Sequence, residues 1–432
     1  MIASVDYKKQ LEESIIQSDV VKIFDNLLTY AVEAWASDIH IEPFENYSRI
    51  RIRIDGELIE LVQYPKNLHE SIISKFKIES GQMRPDEKRL PQDARVSSVT
   101  KTNKEIDMRA NTLPTVRGEK LVMRIVDKSK SIPPLEELGI EGTSLDVLYK
   151  NLSDPNGIIL TTWPTWSGKT TTLYACLQYV NKSDINIVTY EDPVENKLQW
   201  LNQAQIRSDI WFTFASGLRG WLRQDPDIMM VWEIRDKETL DMAMESAMTW
   251  HLVFSTVHTN SAIETITRVY NMWSQPYMLA GTFNLVIAQR LVRKLHPDKK
   301  KQVSVVDHPA YAWAKHSLEY FDPQQLKKEV QARGITKEQR DAFMKEWLSY
   351  VPADDENPVY GWRIAIFEMM DYTDDIKNLI LQDKSAFDIE QYALHKWMIN
   401  LERDGIFKVI KWVISLDELY KVVKHKEKFK GT

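Results

Sequence analysis

Between Gly157 and Thr172 the chain runs Gly-Ile-Ile-Leu-Thr-Thr-Trp-Pro-Thr-Trp-Ser-Gly-Lys-Thr-Thr-Thr. A short apolar run, a tight loop and a Gly-Lys-Thr that opens a helix form the grammar of a phosphate-binding loop. Backbone N–H groups at a helix N-terminus, reinforced by the helix dipole, suit phosphate oxygens. On this reading Trp163, Pro164, Thr165, Trp166, Ser167 and Gly168 form the loop, with Thr171 just behind it. Lys169 reaches the β- and γ-phosphates and the Thr170 hydroxyl holds Mg²⁺. The pattern breaks at its first glycine position, which holds Trp163, and Trp166 stands in mid-loop. A loop that wraps phosphate needs positive φ and close backbone approach, which glycine supplies and tryptophan does not. The loop as written is therefore expected to bind nucleotide poorly.

Three further stretches carry groups of the right kind. Thr189-Tyr-Glu-Asp-Pro-Val-Glu195 is an acidic turn at a strand end, offering Glu191 and Glu195. Leu222-Arg-Gln-Asp-Pro-Asp-Ile-Met-Met-Val-Trp-Glu-Ile-Arg-Asp236 contains a buried strand, Ile-Met-Met-Val. That strand delivers Glu233 to the sheet edge of the phosphate loop, where a Walker B carboxylate belongs. His251-Leu-Val-Phe-Ser-Thr-Val-His258 is a strand with a histidine at each end. Taken singly, an acidic turn is a solvated loop and a strand-end histidine a surface residue. The four stretches acquire meaning by occurring together and in order.

The elements that must carry these groups alternate. Apolar runs at 157–162, 186–190, 228–232 and 251–256 suit strands of a sheet covered on both faces, with helices between them such as Asp236–Met248. This predicts a doubly wound α/β domain, with the loop at the carboxyl end of its first strand. Ahead of it lies an α+β domain. A helical stripe covers 19–34, the alternating run from Ser48 predicts a strand ending in an Asp55-Gly56 turn, and Glu57–Gln63 returns as a hairpin. A helix near 68–79 and strands at 95–98, 105–109 and 120–126 follow. The expected divisions are a polar segment 1–19, an α+β (PAS-like) domain 20–127, a linker 128–137, the α/β core 138–295, a divergent insert 296–359 and a helical C-terminal region 360–432.

Composition narrows the class. No run of about 18 apolar residues exists, and the first residues lack an apolar signal core, so a cytoplasmic chain without a transmembrane helix is expected. The lone Cys176 excludes a disulfide framework and any cysteine-built zinc cluster. A net charge of -6 marks no nucleic-acid binder. The chain has 14 glycines and 14 tryptophans, whereas ordinary usage predicts roughly 30 glycines.

The four stretches resemble the secretion ATPase superfamily, specifically the type II secretion and type IV pilus assembly ATPases. The third is similar to that family's Leu-Arg-Gln-x-Pro-Asp followed by Gly-Glu-Ile-Arg-Asp. The front domain adds Ala36-Ser-Asp-Ile-His-Ile-Glu-Pro, Arg89-Leu-Pro-Gln-Asp and Leu113-Pro-Thr-Val-Arg-Gly-Glu119. The resemblance covers residues 20–295 strongly and 360–420 moderately. It implies a RecA-like core that hydrolyses ATP with Mg²⁺. Lys169 and Thr170 would hold phosphate and metal; Glu191, Glu195 and Glu233 would position Mg²⁺ and the attacking water, with Glu233 closest to the water. His258 and His251 would sense the γ-phosphate. Arg109, Arg124, Arg219, Arg223 and Arg235 would reach nucleotide, some from the front domain or a neighbouring subunit. It also implies a hexameric ring on the cytoplasmic face of the inner membrane, docked to a platform membrane protein, with peripheral membrane association only and no nucleic acid. A retraction motor of the same superfamily, or a nucleotide-free ring subunit, are the rival readings.

Two departures stand out. Trp163, Trp166, Trp232 and Trp250 occupy family glycine positions, as do Trp35, Trp200, Trp211, Trp273, Trp362, Trp397 and Trp412 by looser alignment. So one-sided an exchange predicts a gene in which UGA encodes glycine but was translated as tryptophan; drift would scatter other residues through these places. Trp221, Trp313 and Trp347 have no glycine counterpart. Second, the places of the family's two Cys-x-x-Cys pairs hold His296 and Lys299, then Pro352 and Asp355. That set makes no thiolate zinc site, so the insert is expected to rest on packing alone or to be mobile.

Overall fold

The computed structural model describes residues 2–54, 56–127, 132–162, 168–198, 201–206, 217, 220, 223–272, 275–319, 321–346, 348–353 and 360–424. Of the sequence-predicted positions, Trp163 to Ser167, Trp200, Trp211, Arg219, Trp221, Trp273, Trp347 and Asp355 lie outside them, as do the side chains of Lys169 and Trp362. The chain divides into two compact units, residues 1–131 and 132–432.

The front unit is built on strands β1 (Asp38–Pro43), β2 (Tyr47–Ile54), β3 (Glu57–Pro65), β4 (Gln92–Val99), β5 (Glu105–Thr115) and β6 (Gly118–Asp127). They form one antiparallel sheet in the order β3-β2-β1-β6-β5-β4. Alternation does the sorting. Ile39, Ile41, Ile50, Ile52, Leu121 and Met123 are buried against helices α1 (Ile2–Ile16), α2 (Val20–Glu33) and α3 (His69–Ser80). The Asp19 side chain caps α2 by accepting from the Lys22 N–H at 3.1 Å. Leu11 and Ile15 of α1 join this core, so the polar segment 1–19, expected as a loose helical start, carries the helix Ile2–Ile16 packed on the domain. Its apolar face is too sparse to stand out in sequence. Lys77 of α3, fully buried, ties the loop after that helix to the start of β6: its Nζ donates to the Glu87 carbonyl at 2.8 Å and to the Glu119 carboxylate at 2.6 Å.

In the second unit, β7 (Gly157–Thr162), β8 (Ile187–Glu191), β9 (Asn202–Gln205), β10 (Ile228–Val231), β11 (Leu252–Val257), β12 (Phe283–Leu295) and β15 (Tyr360–Asp371) form a seven-stranded sheet, in the order β15-β12-β7-β11-β10-β8-β9. All neighbours run parallel except β15, which pairs antiparallel with β12. Buried side chains line both faces. One face packs on α4 (Thr143–Leu152) and α5 (Lys169–Val180), the other on α6 (Lys237–Met248), α7 (Ala262–Asn271) and α8 (Pro276–Thr282). Residues 360–371, expected in a helical region, instead supply this sheet's last strand. Helices begin only with α12 (Asp374–Leu381), α13 (Ala386–Lys396), α14 (Leu401–Ile410) and α15 (Leu416–Lys424).

The insert contains β13 (Lys300–Ser304), α9 (Tyr311–Glu319), α10 (Pro323–Ala332), α11 (Lys337–Met344) and β14 (Leu348–Pro352). β13 pairs with β14, and the Ala353 N–H donates to the Lys299 carbonyl at 3.0 Å. Main-chain bonding thus joins the two places where the resemblance would put zinc ligands. Deeper in, Arg333 donates to Glu329 at 2.8 Å and to Asp404 at 2.6 Å, and Lys408 also bonds Asp404. All four side chains are at most 1 % exposed. Asp404 accepts the Phe367 N–H of β15 at 2.9 Å, and Glu329 accepts the Thr143 N–H that opens α4 at 3.2 Å. The expectation that packing alone holds the insert is therefore corrected: a buried ionic network fastens it to the sheet and to α14.

Backbone geometry bears on the tryptophans. Among the described residues, seven non-glycines have positive φ: Ser18, Asn103, Asp225, Asp383, and Trp35, Trp250 and Trp412 at 58°, 70° and 62°. The first four are small and polar, the kind that tolerates a left-handed backbone. The three tryptophans each follow a helix C-cap and sit in a Schellman turn. Ala36 N–H donates to the Ala31 carbonyl at 2.8 Å, His251 N–H to Ser246 at 3.2 Å and Val413 N–H to Lys408 at 3.0 Å. Gly334 fills the same place after α10, with Ile335 N–H on the Val330 carbonyl at 3.0 Å.

Candidate active site

Parallel pairing brings four strand ends to one edge. Thr162, the last residue of β7, stands opposite Val257 of β11, and β10 lies between β11 and β8. After β7 the described residues resume at Gly168, whose φ of 80° a side chain would strain. α5 starts at Lys169, with Thr170 half-buried and Thr171 exposed in its first turn. The stem of the loop is tied to the neighbouring strand. Thr162 Oγ1 donates to the Thr259 carbonyl at 2.8 Å, and the Thr259 N–H donates back to Thr162 Oγ1 at 2.9 Å.

Glu233 lies two residues beyond β10 on this edge. One carboxylate oxygen is 3.0 Å from His258 Nε2, and the other accepts from Arg235 Nε at 2.7 Å. Glu233 is 5 % exposed, whereas the His258 and Arg235 side chains are about half open. The carboxylate beside Arg235 raises the guanidinium's pKa, so that side chain stays charged. A buried carboxylate between an imidazole and a guanidinium, beside a strand–loop–helix, can orient water and respond to an incoming anion.

Glu191, at the end of β8, is placed differently from expectation. It has no exposed surface. It accepts from Thr189 Oγ1 at 2.7 Å and Gln203 Nε2 at 2.9 Å, and from the Tyr174 hydroxyl. Burial pushes its carboxyl above the usual range, against the hydrogen bonds that favour its ionised form. A carboxyl enclosed in this way is not open to a metal; it braces β8 against α5 and β9. Glu195 is half-buried on the turn that follows.

His251 is corrected outright. It precedes β11, so the strand's six residues separate it from the carboxyl edge, roughly 20 Å at 3.3 Å per residue. Its Nδ1 lies 2.9 Å from the Ser246 carbonyl, at the C-terminal end of α6. It therefore stands away from the loop, and only His258 remains at the site. Arg223 is also remote: it is exposed in the turn before β10 begins. On the front sheet Arg109 and Arg124 are directly opposite each other on β5 and β6, and Arg124 lies 3.6 Å from Asp38.

Among the described residues no group of three or more His, Cys, Asp or Glu could hold a metal. The donors on the site edge, a helix-opening threonine and one carboxylate, suit a Mg²⁺ that is carried mainly by substrate phosphates. Sequence reasoning passed over Glu368 of β15, which is 4 % exposed. It accepts the Ala262 N–H at the start of α7 at 2.7 Å and the Leu401 N–H at the start of α14 at 3.4 Å.

Comparison with known proteins gives the family and the fold. The family profile described as Type II/IV secretion system protein matches residues 13–421. The chain is 38 % identical over 411 residues to the type IV pilus assembly ATPase PilB of Myxococcus xanthus, covering 95 % of this chain and 69 % of that protein. It is 37 % identical over 422 residues to the type II secretion system protein E of Xanthomonas campestris, covering 97 % and 70 %. Among solved structures, the pilus retraction motor PilT with bound ADP superposes with a TM-score of 0.59 at 23 % identity, covering 91 % of this chain and 95 % of that one. That likeness concerns the fold.

Proposed function

The chain belongs to the type II/IV secretion system protein family, and from that premise we propose that it is an ATP-hydrolysing motor for type IV pilus assembly or type II secretion. Its assignment to assembly rather than retraction follows the names of its sequence relatives, pilus assembly ATPases and secretion protein E. The observation that carries the chemistry is the 3.0 Å Glu233–His258 pair on the edge where the β7–α5 loop opens. ATP would lie along that loop, with Lys169 on its phosphates. Thr170 and Glu233 would hold Mg²⁺, which neutralises charge on the β- and γ-phosphates. His258 bonds Glu233 here; an arriving γ-phosphate competes for the imidazole N–H and frees that carboxylate oxygen to orient the attacking water. Arg235 holds the other oxygen, and Glu195 borders the turn. Arg109 and Arg124 of the front unit, with Arg219 and Arg223, are candidates for phosphate contact across a subunit boundary, in a hexameric ring docked to a platform protein at the cytoplasmic face of the inner membrane.

The natural protein carries glycine at 163, 166, 232 and 250 on this proposal. Support comes from the left-handed φ of Trp35, Trp250 and Trp412, where glycine is the ordinary occupant. The intact mass of protein from its native source tests this: a mass corresponding to 14 tryptophans refutes it. ATPase turnover tests the function. The chain as written should be nearly inactive, and the W163G/W166G/W232G/W250G chain active. In that background Glu233→Gln and His258→Ala should each lower kcat by about 10²-fold or more while nucleotide binding is retained. Equal turnover with and without the four glycines would refute the account of the loop.

A further inference from the structure

Gln289 belongs to none of the motifs above. Its strand β12 pairs with β7 so that Ala288 stands opposite Thr162, the last residue before the loop. Gln289 therefore comes one residue past the end of β7 and is 3 % exposed. Its Oε1 accepts from the hydroxyl of Thr172 at 2.7 Å. Thr172 is itself fully buried in the first turn of α5, and its N–H donates to the Gly168 carbonyl at 3.3 Å. Nε2 of the same amide lies 3.3 Å from the place a Cβ on Gly168 would occupy. One buried amide thus meets the first helical turn and the last loop residue together.

A primary amide is a costly group to bury in a strand, where an aliphatic side chain would pack without needing partners. The adjacent residue performs a matching task on the opposite face. Arg290 donates to the Asn260 carbonyl at 3.0 Å, in the turn that also carries His258. We infer that Gln289 is a positioning residue for nucleotide, setting the height of the phosphate loop through Thr172 and Gly168. Arg290, next along the strand, holds the His258 turn. Two consecutive residues of β12 therefore fix the start of α5 relative to the turn that carries His258. The inference rests on the nucleotide reading of the loop.

The test uses the full chain in the W163G/W166G/W232G/W250G background. Thr172→Val, Thr172→Ser, Gln289→Met and the Val/Met double variant are compared for binding of a fluorescent ATP analogue, KM, kcat and nucleotide-free Tm. Loss of one buried hydrogen bond on the loop should weaken analogue binding and raise KM about tenfold. Tm should fall by no more than a few degrees, Thr172→Ser should restore binding, and the double variant should be no worse than either single one. Parent-like affinity in Thr172→Val and Gln289→Met would overturn the inference. So would a Thr172→Ser as poor as Thr172→Val, or affinity losses that merely track Tm. A parent that binds the analogue no better than its Lys169→Ala variant would refute the nucleotide reading itself, and the inference with it.

Discussion

Trp250 offers the sharpest test of what the left-handed helix ends mean. Its φ is 70° and its side chain is 77 % exposed, so substitution by glycine removes backbone strain while giving up little burial. An L-residue in the left-handed region costs about 1–2 kcal/mol. The added freedom of glycine in the unfolded chain returns roughly 0.4–1 kcal/mol of that. Trp250→Gly should thus stabilise the second unit by about 0.5–1 kcal/mol. Trp35 is 52 % exposed and its ring lies 5.8 Å from Lys104 Nζ. Loss of that cation–π contact, about 0.5–1 kcal/mol, brings Trp35→Gly close to neutral. Trp412 packs its ring 4.9 Å from that of Tyr350, and an aromatic pair contributes about 0.5–1.5 kcal/mol. Trp412→Gly should be neutral or slightly destabilising. Gly334 supplies the reverse experiment, because it has φ 65° and no atom within 4 Å of a built Cβ. Gly334→Trp meets no clash at Cβ and should lose about what Trp250→Gly gains. Urea midpoints followed by far-UV circular dichroism measure all four. A lower midpoint for Trp250→Gly together with an unchanged one for Gly334→Trp would refute the reasoning, since backbone strain would then not govern these positions.

The buried ionic network and the front sheet each give a further expectation. Arg333→Met leaves Glu329 and Asp404 buried without their guanidinium and should cost about 3–5 kcal/mol, read as a drop in the urea midpoint; a loss below about 1 kcal/mol would contradict the network's role. Glu42 accepts from Arg49 and Arg51 and lies 2.9 Å from Lys120. Burial alone would raise its carboxyl, but Arg51, Lys120 and Arg49 outweigh burial and bring it down from 4.5 to about 2. Its folded pKa lies below the unfolded one, so its stabilisation is complete above about pH 4.5 and disappears as pH falls toward about 2. Glu42→Gln should flatten the stability–pH curve of the full chain in that window and leave it unchanged if the three cations do not act through this carboxylate.

Much of the core was legible because its strands are continuous apolar runs, and parallel order follows from the alternation of strand and helix. β15 was missed for a physical reason. Its run from Ile364 to Met370 is a strand only because β12, some 80 residues earlier, offers an antiparallel edge, and no local signal announces a distant partner. The error over His251 was avoidable: on a strand, two histidines seven residues apart stand at opposite ends. Glu191 shows the limit of motif reasoning. Spacing delivers it to the correct edge, but Tyr174 and Gln203, which enclose it, come from other elements. The network was half legible, because Glu329 and Arg333, like Asp404 and Lys408, are four apart on helices. Such pairs ordinarily signify solvated surface; their complete burial is a property of the packing alone. Gln289 is marked by nothing except the register of β12 on β7.

Glu368 deserves a last thought because two helices depend on it. The N-terminal ends of α7 and α14 both direct a backbone N–H at this one carboxylate, and each end carries a partial positive charge. The anion screens those two charges from each other and fixes the distance between them. α7 begins just past the His258 turn, while α14 brings Asp404 and Lys408 to the insert. If His258 acts as proposed, a shift at that turn has a short electrostatic route into the C-terminal helices through Glu368.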